Sequence, residues 1–330
     1  MSLPPIIPIL SVAIATSTPL VFACLGETIT ERSGVINLSA EGTVMLAAMT
    51  AFAIAKTTEG LGTFPCLVLG FAGAGLVGAL IAAIVAFGAL TLKQSQVAIG
   101  FVLALLCADL SAFLGNAFVR IPGPTVPSFK LPGLQQIPVL GELFFQSDVL
   151  VYASYLLILL TWLYFYRSRP GLMLRAIGEQ PAAAFARGTN VVRMRYLYTM
   201  LGGALMGMAG AAFSLDFKAG WSYRHTAGYG WIALAIVIFG GWNPLRVALS
   251  CYLFGILQSL ASVVQSTIPQ VPTQVLPIAP FVLMILLLVL TSSRWLEMLF
   301  SQLPDRVRRM ATQTISSTPP AALGKAFEQD

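Results

Sequence analysis

Charge is what this chain has least of. Of its 330 residues only 10% are Asp, Glu, Lys or Arg, while 57% are hydrophobic. Soluble domains carry roughly 25% charged residues, so a globule of this composition would have too little to present to water. A polytopic membrane protein is the class that remains. Histidine is nearly missing as well: His225 stands alone. The four cysteines, Cys24, Cys66, Cys107 and Cys251, fall inside apolar runs with no CxxC spacing. That leaves too few ligands for a zinc or haem site, so no metal and no other cofactor is expected, and the thiols read as small buried apolar groups. The chain has no GxxxxGK[ST] phosphate loop, since Gly324-Lys325 lacks both the earlier glycine and a following Ser or Thr. It has no arginine series of the voltage-sensor kind, no TVGYG filter, and no Ser/His or paired-carboxylate arrangement. No enzymatic activity is expected, and energy for uphill movement would have to come from a partner. No removable signal peptide is expected either, because the first apolar run has no basic region ahead of it.

What the chain does have is apolar runs of about 17 to 25 residues, the length that crosses a bilayer. They predict an all-α, multi-pass protein of about nine transmembrane helices, with eight to ten as the range. The expected spans are Ile6–Leu25, Val35–Ala55, Phe64–Leu92, Val97–Val119, Val149–Phe165, Leu197–Leu215, a short Tyr229–Gly241, Leu245–Gln265 and Val275–Ser292. Residues 1–296 form the expected transmembrane domain, and 297–330 an expected disordered tail on the cytoplasmic side. Gly70, Gly73, Ala74, Gly75 and Gly78 cluster in the third span, and Gly202, Gly203, Gly207, Gly210 and Ala211 in the sixth. Gly203 and Gly207 make a GxxxG pair, which predicts close helix packing.

The net charge of +6 is unevenly placed. Residues 166–196 carry Arg167, Arg169, Arg175, Arg187, Arg193 and Arg195 against the single acid Glu179, and further arginines (Arg294, Arg306, Arg308, Arg309) follow the last span. This is the positive-inside distribution of a membrane protein and not a nucleic-acid footprint. With both segments inside, the four spans between them have the right parity. Glu27–Gly34 and Lys93–Gln96 then lie inside, and the N-terminus and the proline-rich stretch Arg120–Asp148 outside. Within the basic segment, Gly178-Glu179-Gln180-Pro181 is expected to open a short helix continued by Ala182 to Arg187 and stopped by Gly188. A polar helix pinned between two spans reads as a docking element.

Four other groups attract attention. Asn37 or Ser39 suits the N-cap of the second span, and Glu41 would lie in its first turn. Glu41 is then either a pathway carboxylate or part of a capping cluster with Glu27, Glu31 and Arg32. Asn37-Leu38-Ser39 is also a glycosylation sequon, discounted on the inner side. Asp109 sits inside the fourth span, as a pathway lining or a satisfied interhelical hydrogen bond, and Asn37 is a further pathway candidate. Gly255, Gln258, Ser262 and Gln265 share one face of the eighth, as a pathway lining or a hydrogen-bonded seam, and would suit an uncharged, hydroxyl-rich solute.

The order of several short motifs resembles the permease subunits of ATP-binding-cassette importers, in the group serving nucleosides and simple sugars, related to ribose and branched-chain amino acid permeases. The residues that carry it are Thr18-Pro19-Leu20, Glu31 to Leu38, Glu41-Gly42, Ile121-Pro122-Gly123, Ile137-Pro138, Gly171, Leu174 to Glu179, Ala182–Ala184, Gly188, Gly228-Tyr229-Gly230, and Gly240 with Trp242-Asn243-Pro244. The resemblance implies that Arg175, Gly178, Glu179, Ala182, Ala183, Arg187 and Gly188 form the coupling helix seated on an ABC ATPase subunit. It also implies a second, homologous permease subunit, an extracytoplasmic substrate-binding lipoprotein, and a place in the plasma membrane of a bacterium. A nucleoside is the expected solute and a simple sugar the alternative. Ser39, Thr43-Val44 and Gly241 depart from the family pattern and bear on the solute. An ion-driven transporter working alone, with Asp109 and Glu41 as its relay, is the rival reading.

Overall fold

The computed structural model describes residues 6–129, 140–226, 228–267, 278, 281, 282, 285, 286, 289 and 318–327. Among these, regular structure is helical, with isolated bridges Val119–Trp221 and Ser128–Asp148 in place of strands. The helices are α1 (Ile6–Arg32), α2 (Ala40–Thr57), α3 (Thr63–Ala86), α4 (Gln96–Gly115), α5 (Leu140–Phe144), α6 (Val149–Arg167), α7 (Arg169–Glu179), α8 (Pro181–Ala186), α9 (Val191–Ala212), α10 (Tyr229–Phe239) and α11 (Pro244–Thr267). Both α3 and α9 end in a π turn, at Phe87–Thr91 and Phe213–Phe217.

Six of these helices are long and apolar enough to cross a membrane, not nine. Two of the expected spans fall outside this count. α2 has 18 residues and carries Glu41 and Lys56 near its ends. α10 has 11 residues, about 16 Å at the α-helical rise, roughly half the hydrocarbon thickness. The ninth expected span, Val275–Ser292, falls largely outside the described residues. α10 nonetheless runs from one end of the bundle towards the other. The stretch before α10 is tied to the end that holds the α4–α5 connection, through Arg120 N–H donating to the Trp221 carbonyl at 3.0 Å. The C-terminal end of α10 reaches Arg32 at the opposite end.

Local chemistry accounts for the helix starts. The Asp148 carboxylate accepts from Leu150 and Val151 N–H at 2.9 and 3.0 Å to cap α6, the Ser168 hydroxyl accepts from Gly171 N–H at 3.0 Å to cap α7, and Asn190 accepts from Arg193 N–H at 2.9 Å to cap α9. Ser39 stands at the N-cap of α2, as expected, but neither its side chain nor that of Asn37 makes a capping bond to the helix. The Asn37 Oδ1 accepts from both the N–H and the hydroxyl of Ser39, at 3.2 and 2.6 Å.

α9 runs through the middle of the bundle, against α1, α2 and α3. Its glycines allow this. A Cβ on Gly203 would meet the Gly78 carbonyl at 2.5 Å and one on Gly207 the Gly75 Cα at 3.1 Å, so the small faces of α3 and α9 lie backbone against backbone. Gly210 meets α2 in the same way, its would-be Cβ lying 2.5 Å from the Val44 carbonyl. We expect Gly203→Leu to lower the melting temperature of the purified subunit in detergent, as an overpacked core costing about 1–3 kcal/mol or more does. Leu106→Ala, on the exposed side of α4, should leave it unchanged. Equal melting of the two variants would contradict this packing.

Candidate functional site

Two places concentrate the polar groups. The first is the end of the bundle where α1, α6 to α9 and the α10–α11 connection meet. The short helix expected from sequence is in fact two. α7 ends at Glu179 and α8 runs Pro181–Ala186, with Gln180 between them and Pro181 in the first turn. Gly178 and Glu179 therefore close α7 and do not open α8. Gly188 ends α8 with φ of 84°, its N–H donating to the Phe185 carbonyl at 2.8 Å while Thr189 N–H reaches Ala184 at 3.1 Å, a left-handed C-cap that favours glycine. Ala182, Ala183, Arg187 and Gly188 are exposed, and Ala184 is buried. Ala176, Glu179, Gln180, Ala183, Ala184 and Arg187 line a groove of about 290 Å³ on this element.

Beneath α7 and α8 lies a satellite core of Phe165, Leu174, Ile177, Ala184, Val191 and Tyr198. The Arg175 guanidinium stacks 4.9 Å from the Tyr166 ring centre. Gly178 lacks a side chain because a Cβ there would run into the Arg32 carbonyl and sit 3.6 Å from Pro320. Arg32, the last residue of α1, ties three elements together. It donates to the carbonyls of Trp242 at 3.1 Å and Gly241 at 3.5 Å, and pairs with Glu179 at 3.4 Å. The neighbouring Glu31 accepts from the Trp242 indole N–H, and Asn243 donates to the Tyr166 hydroxyl at 3.2 Å. Gly241 and Trp242 both have positive φ, 63° and 54°, which turns the chain sharply from α10 into α11. Of the capping cluster expected around Glu41, Glu27, Glu31 and Arg32, only Glu31 and Arg32 make bonds here, to Trp242 and Glu179, partners that spacing along the chain could not show, and Glu41 lies elsewhere.

The second place is the start of α10. The carboxylate of Glu41 accepts from the N–H groups of Gly228, Gly230 and Trp231 at 2.6, 2.9 and 3.4 Å. It caps α10, a helix almost two hundred residues away, and not the helix that bears it. Gly228 is left-handed, φ 91°, and Gly230 has no room for a Cβ against the backbone of Glu41. Tyr229 follows, its ring 4.5 Å from Phe213, 6.3 Å from Phe254 and 6.4 Å from Phe281. The Gln258 amide donates to the Tyr229 hydroxyl, and its Oε1 is buried without a partner among the described residues. Gln258 and Ser262 line a cavity of about 340 Å³ together with Thr16, Phe217 and Ser259. Gly255 packs on α1, where its Cβ would meet the Ala13 carbonyl at 2.5 Å, and Gln265 does not line this cavity. Asp109 is on the exposed side of α4, away from both places. In the loop before α10, burial pushes the His225 imidazole down to about 4, so it is neutral at physiological pH. Among the described residues no cluster of His, Cys, Asp and Glu is suited to a metal. Sequence reading missed Tyr229 as a site residue, although Gly228-Tyr229-Gly230, a bulky residue between two glycines, was the available signal.

Removing the carboxylate of Glu41 leaves three N–H groups of α10 unpaired in the protein interior. Glu41→Ala should destabilise the subunit by roughly 3 kcal/mol or more, and Glu41→Gln by less, since its carbonyl still accepts. Thermal unfolding in detergent distinguishes them, and an Ala variant as stable as the parent would refute the capping role.

Comparison with known proteins gives concordant matches. Residues 9–291 match the family described as branched-chain amino acid transport system, permease component. A protein of Haloferax volcanii named for glucose ABC transport, TsgC13, is 38% identical over 257 residues, covering 76% of each chain. The nucleoside ABC transporter permease protein NupC of Lactococcus lactis is 34% identical over 284 residues, 83% of this chain and 89% of the relative. The guanosine ABC transporter permease protein NupQ of Bacillus subtilis is 34% identical over 301 residues, 86% and 92%. No solved structure matches. A match running through both polar places and nearly every described helix makes this chain a member of that family of transport-system permease components, a multi-pass protein of the cell membrane.

Proposed function

We propose that the chain is the membrane-spanning permease of an ATP-driven importer, with the α7–α8 element as its contact to an ABC ATPase and a nucleoside as its solute. The observation that carries the coupling assignment is the six-residue α8, presented with Ala182, Ala183 and Arg187 exposed beside a groove and backed by its own small core. Small alanines permit close seating in a partner's cleft, and Arg187 at the rim can set register. Glu179 lines the same groove, half-exposed, and pairs with Arg32, so it also holds α7 in place, while Arg187 meets the partner.

For the solute, two relatives named for nucleosides match more than 80% of this chain. The pathway candidates near Tyr229 and Gln258 are uncharged, and aromatic faces with an amide suit a nucleobase and its hydroxyl-rich ribose. The 38% identity to a relative named for glucose favours the simple-sugar reading as the alternative. The ion-coupled rival lacks support, because Glu41 is committed to three backbone N–H groups and Asp109 lies elsewhere. Asp109 instead supports a second permease subunit. It shares the exposed side of α4 with Leu105, Leu106, Leu110 and Phe113, and a carboxylate facing lipid is costly enough that protein must cover it.

Ala183→Trp would fill the groove without touching the subunit's interior. Co-purification of the ATPase and solute uptake should both fall at least tenfold, with membrane insertion unchanged; normal uptake would overturn the docking assignment. In proteoliposomes holding the complete transporter, radiolabelled guanosine should accumulate on ATP addition and resist competition by glucose. Accumulation of glucose alone would establish the sugar reading.

A further inference from the structure

Residues 318–327 do not trail away from the bundle. They lie where the end of α1 meets α7 and α9; Leu323 packs on the main core, and the polar contacts fall on the coupling element or on what anchors it. Ala322 N–H donates to the Gly178 carbonyl at 2.9 Å and Gly324 N–H to the Gly34 carbonyl at 3.0 Å. The first fills one of the orphan carbonyls in the last turn of α7. Ala321 N–H donates to Glu179 Oε2 at 3.2 Å, on the carboxylate whose other oxygen pairs with Arg32. The fully buried Arg195 of α9 donates to the Lys325 carbonyl at 2.9 Å. Phe327 places its ring 5.7 Å from Phe185 of α8 and joins the satellite core. Ala322 and Pro320 are buried, and a Cβ on Gly324 would meet Ile36 at 2.8 Å.

We propose that this C-terminal segment is a clasp that positions the coupling element, so that movement of α7–α8 is transmitted to α1 and α9 only while the clasp is closed. A mask over the ATPase contact is the other device such a segment could be, and its placement argues against that. The strap lies on the α1 side of α7, while Ala182, Ala183 and Arg187 stay exposed and their groove stays open. The four hydrogen bonds and the ring contact reach α7, α8, α9 and the turn after α1 at once, which an incidental resting place for a polar tail would not require. The inference rests on reading α7–α8 as the ATPase contact.

The test uses the complete transporter in proteoliposomes, with three permease variants: a chain ending after residue 317, Ala322→Pro, which removes the N–H given to Gly178, and Phe327→Ala. The quantity read is solute imported per ATP hydrolysed. The clasp predicts at least a fivefold fall in each variant, or loss of the ATPase on purification, with Phe327→Tyr retaining the parent's ratio. An unchanged ratio in all variants, or uptake that rises as it would on releasing a brake, overturns the proposal. If the shortened chain fails to insert, the two point variants decide. Failure of the underlying reading shows up separately, since Ala183→Trp would then transport normally with the clasp intact.

Discussion

The side chain of Arg32 is the joint on which this architecture turns. It ends α1, and one guanidinium satisfies two carbonyls of the α10–α11 turn and the carboxylate that closes α7. The pair with Glu179 alone would be worth little, because half-exposed ion pairs contribute about 0–1 kcal/mol. Its significance is geometric. The planar fork of an arginine can meet three acceptors in fixed directions, which a lysine cannot. The carbonyls it meets belong to a turn that has positive φ at Gly241 and Trp242 and so points them outward. That also gives Gly241, a departure from the family pattern, a structural reason of its own: glycine adopts the left-handed conformation without strain.

The other constraint is the membrane interior, where each backbone N–H must find a partner. A helix that starts partway through the bundle exposes its first N–H groups where water is scarce. α10 is such a helix, and Glu41 is the answer to it: one carboxylate takes three of those donors and meets the positive end of the helix dipole. An acid in a membrane domain reads first as part of a path for ions or solute. Here its hydrogen-bonding capacity is largely used by the backbone, which turns a functional candidate into a structural requirement.

Much of the fold was legible in the sequence because bilayer thickness acts on length and apolarity, and both are written in single runs. The small faces of α3 and α9 were marked by their glycines, whereas the caps Asp148, Ser168 and Asn190 at the starts of α6, α7 and α9 were not read from the runs. What was not legible depended on contacts between distant residues. The Tyr229–Gly241 run was visibly short, but nothing in it says that its first N–H groups are met by Glu41 of a distant helix. The break between α7 and α8 at Gln180 is visible only once Gly178 is seen jammed against the Arg32 carbonyl. Residues 318–327 are short, proline-bearing and mixed in polarity, the composition of a tail; their order comes from acceptors on α7, from Gly34 beyond α1 and from the buried Arg195.

α10 connects the two polar places, and this bears on how they can communicate. Its first residue carries the aromatic cluster and the Gln258 contact, and its following turn is gripped by Glu31 and Arg32. Eleven residues without an internal proline or glycine kink beyond its first turn form a stiff rod. Displacing Arg32 by moving α7 must either break its bonds to Gly241 and Trp242 or shift α10 with it, and a shifted α10 carries Tyr229 along. Contiguity supplies a route but no direction. Direction requires a partner that grips α7–α8 differently in two states, because an equilibrium moves only by the difference in affinity for its two ends. The rod therefore gives the α7–α8 surface and the aromatic cluster a mechanical route to one another, and under the proposed function the driving force comes from the partner.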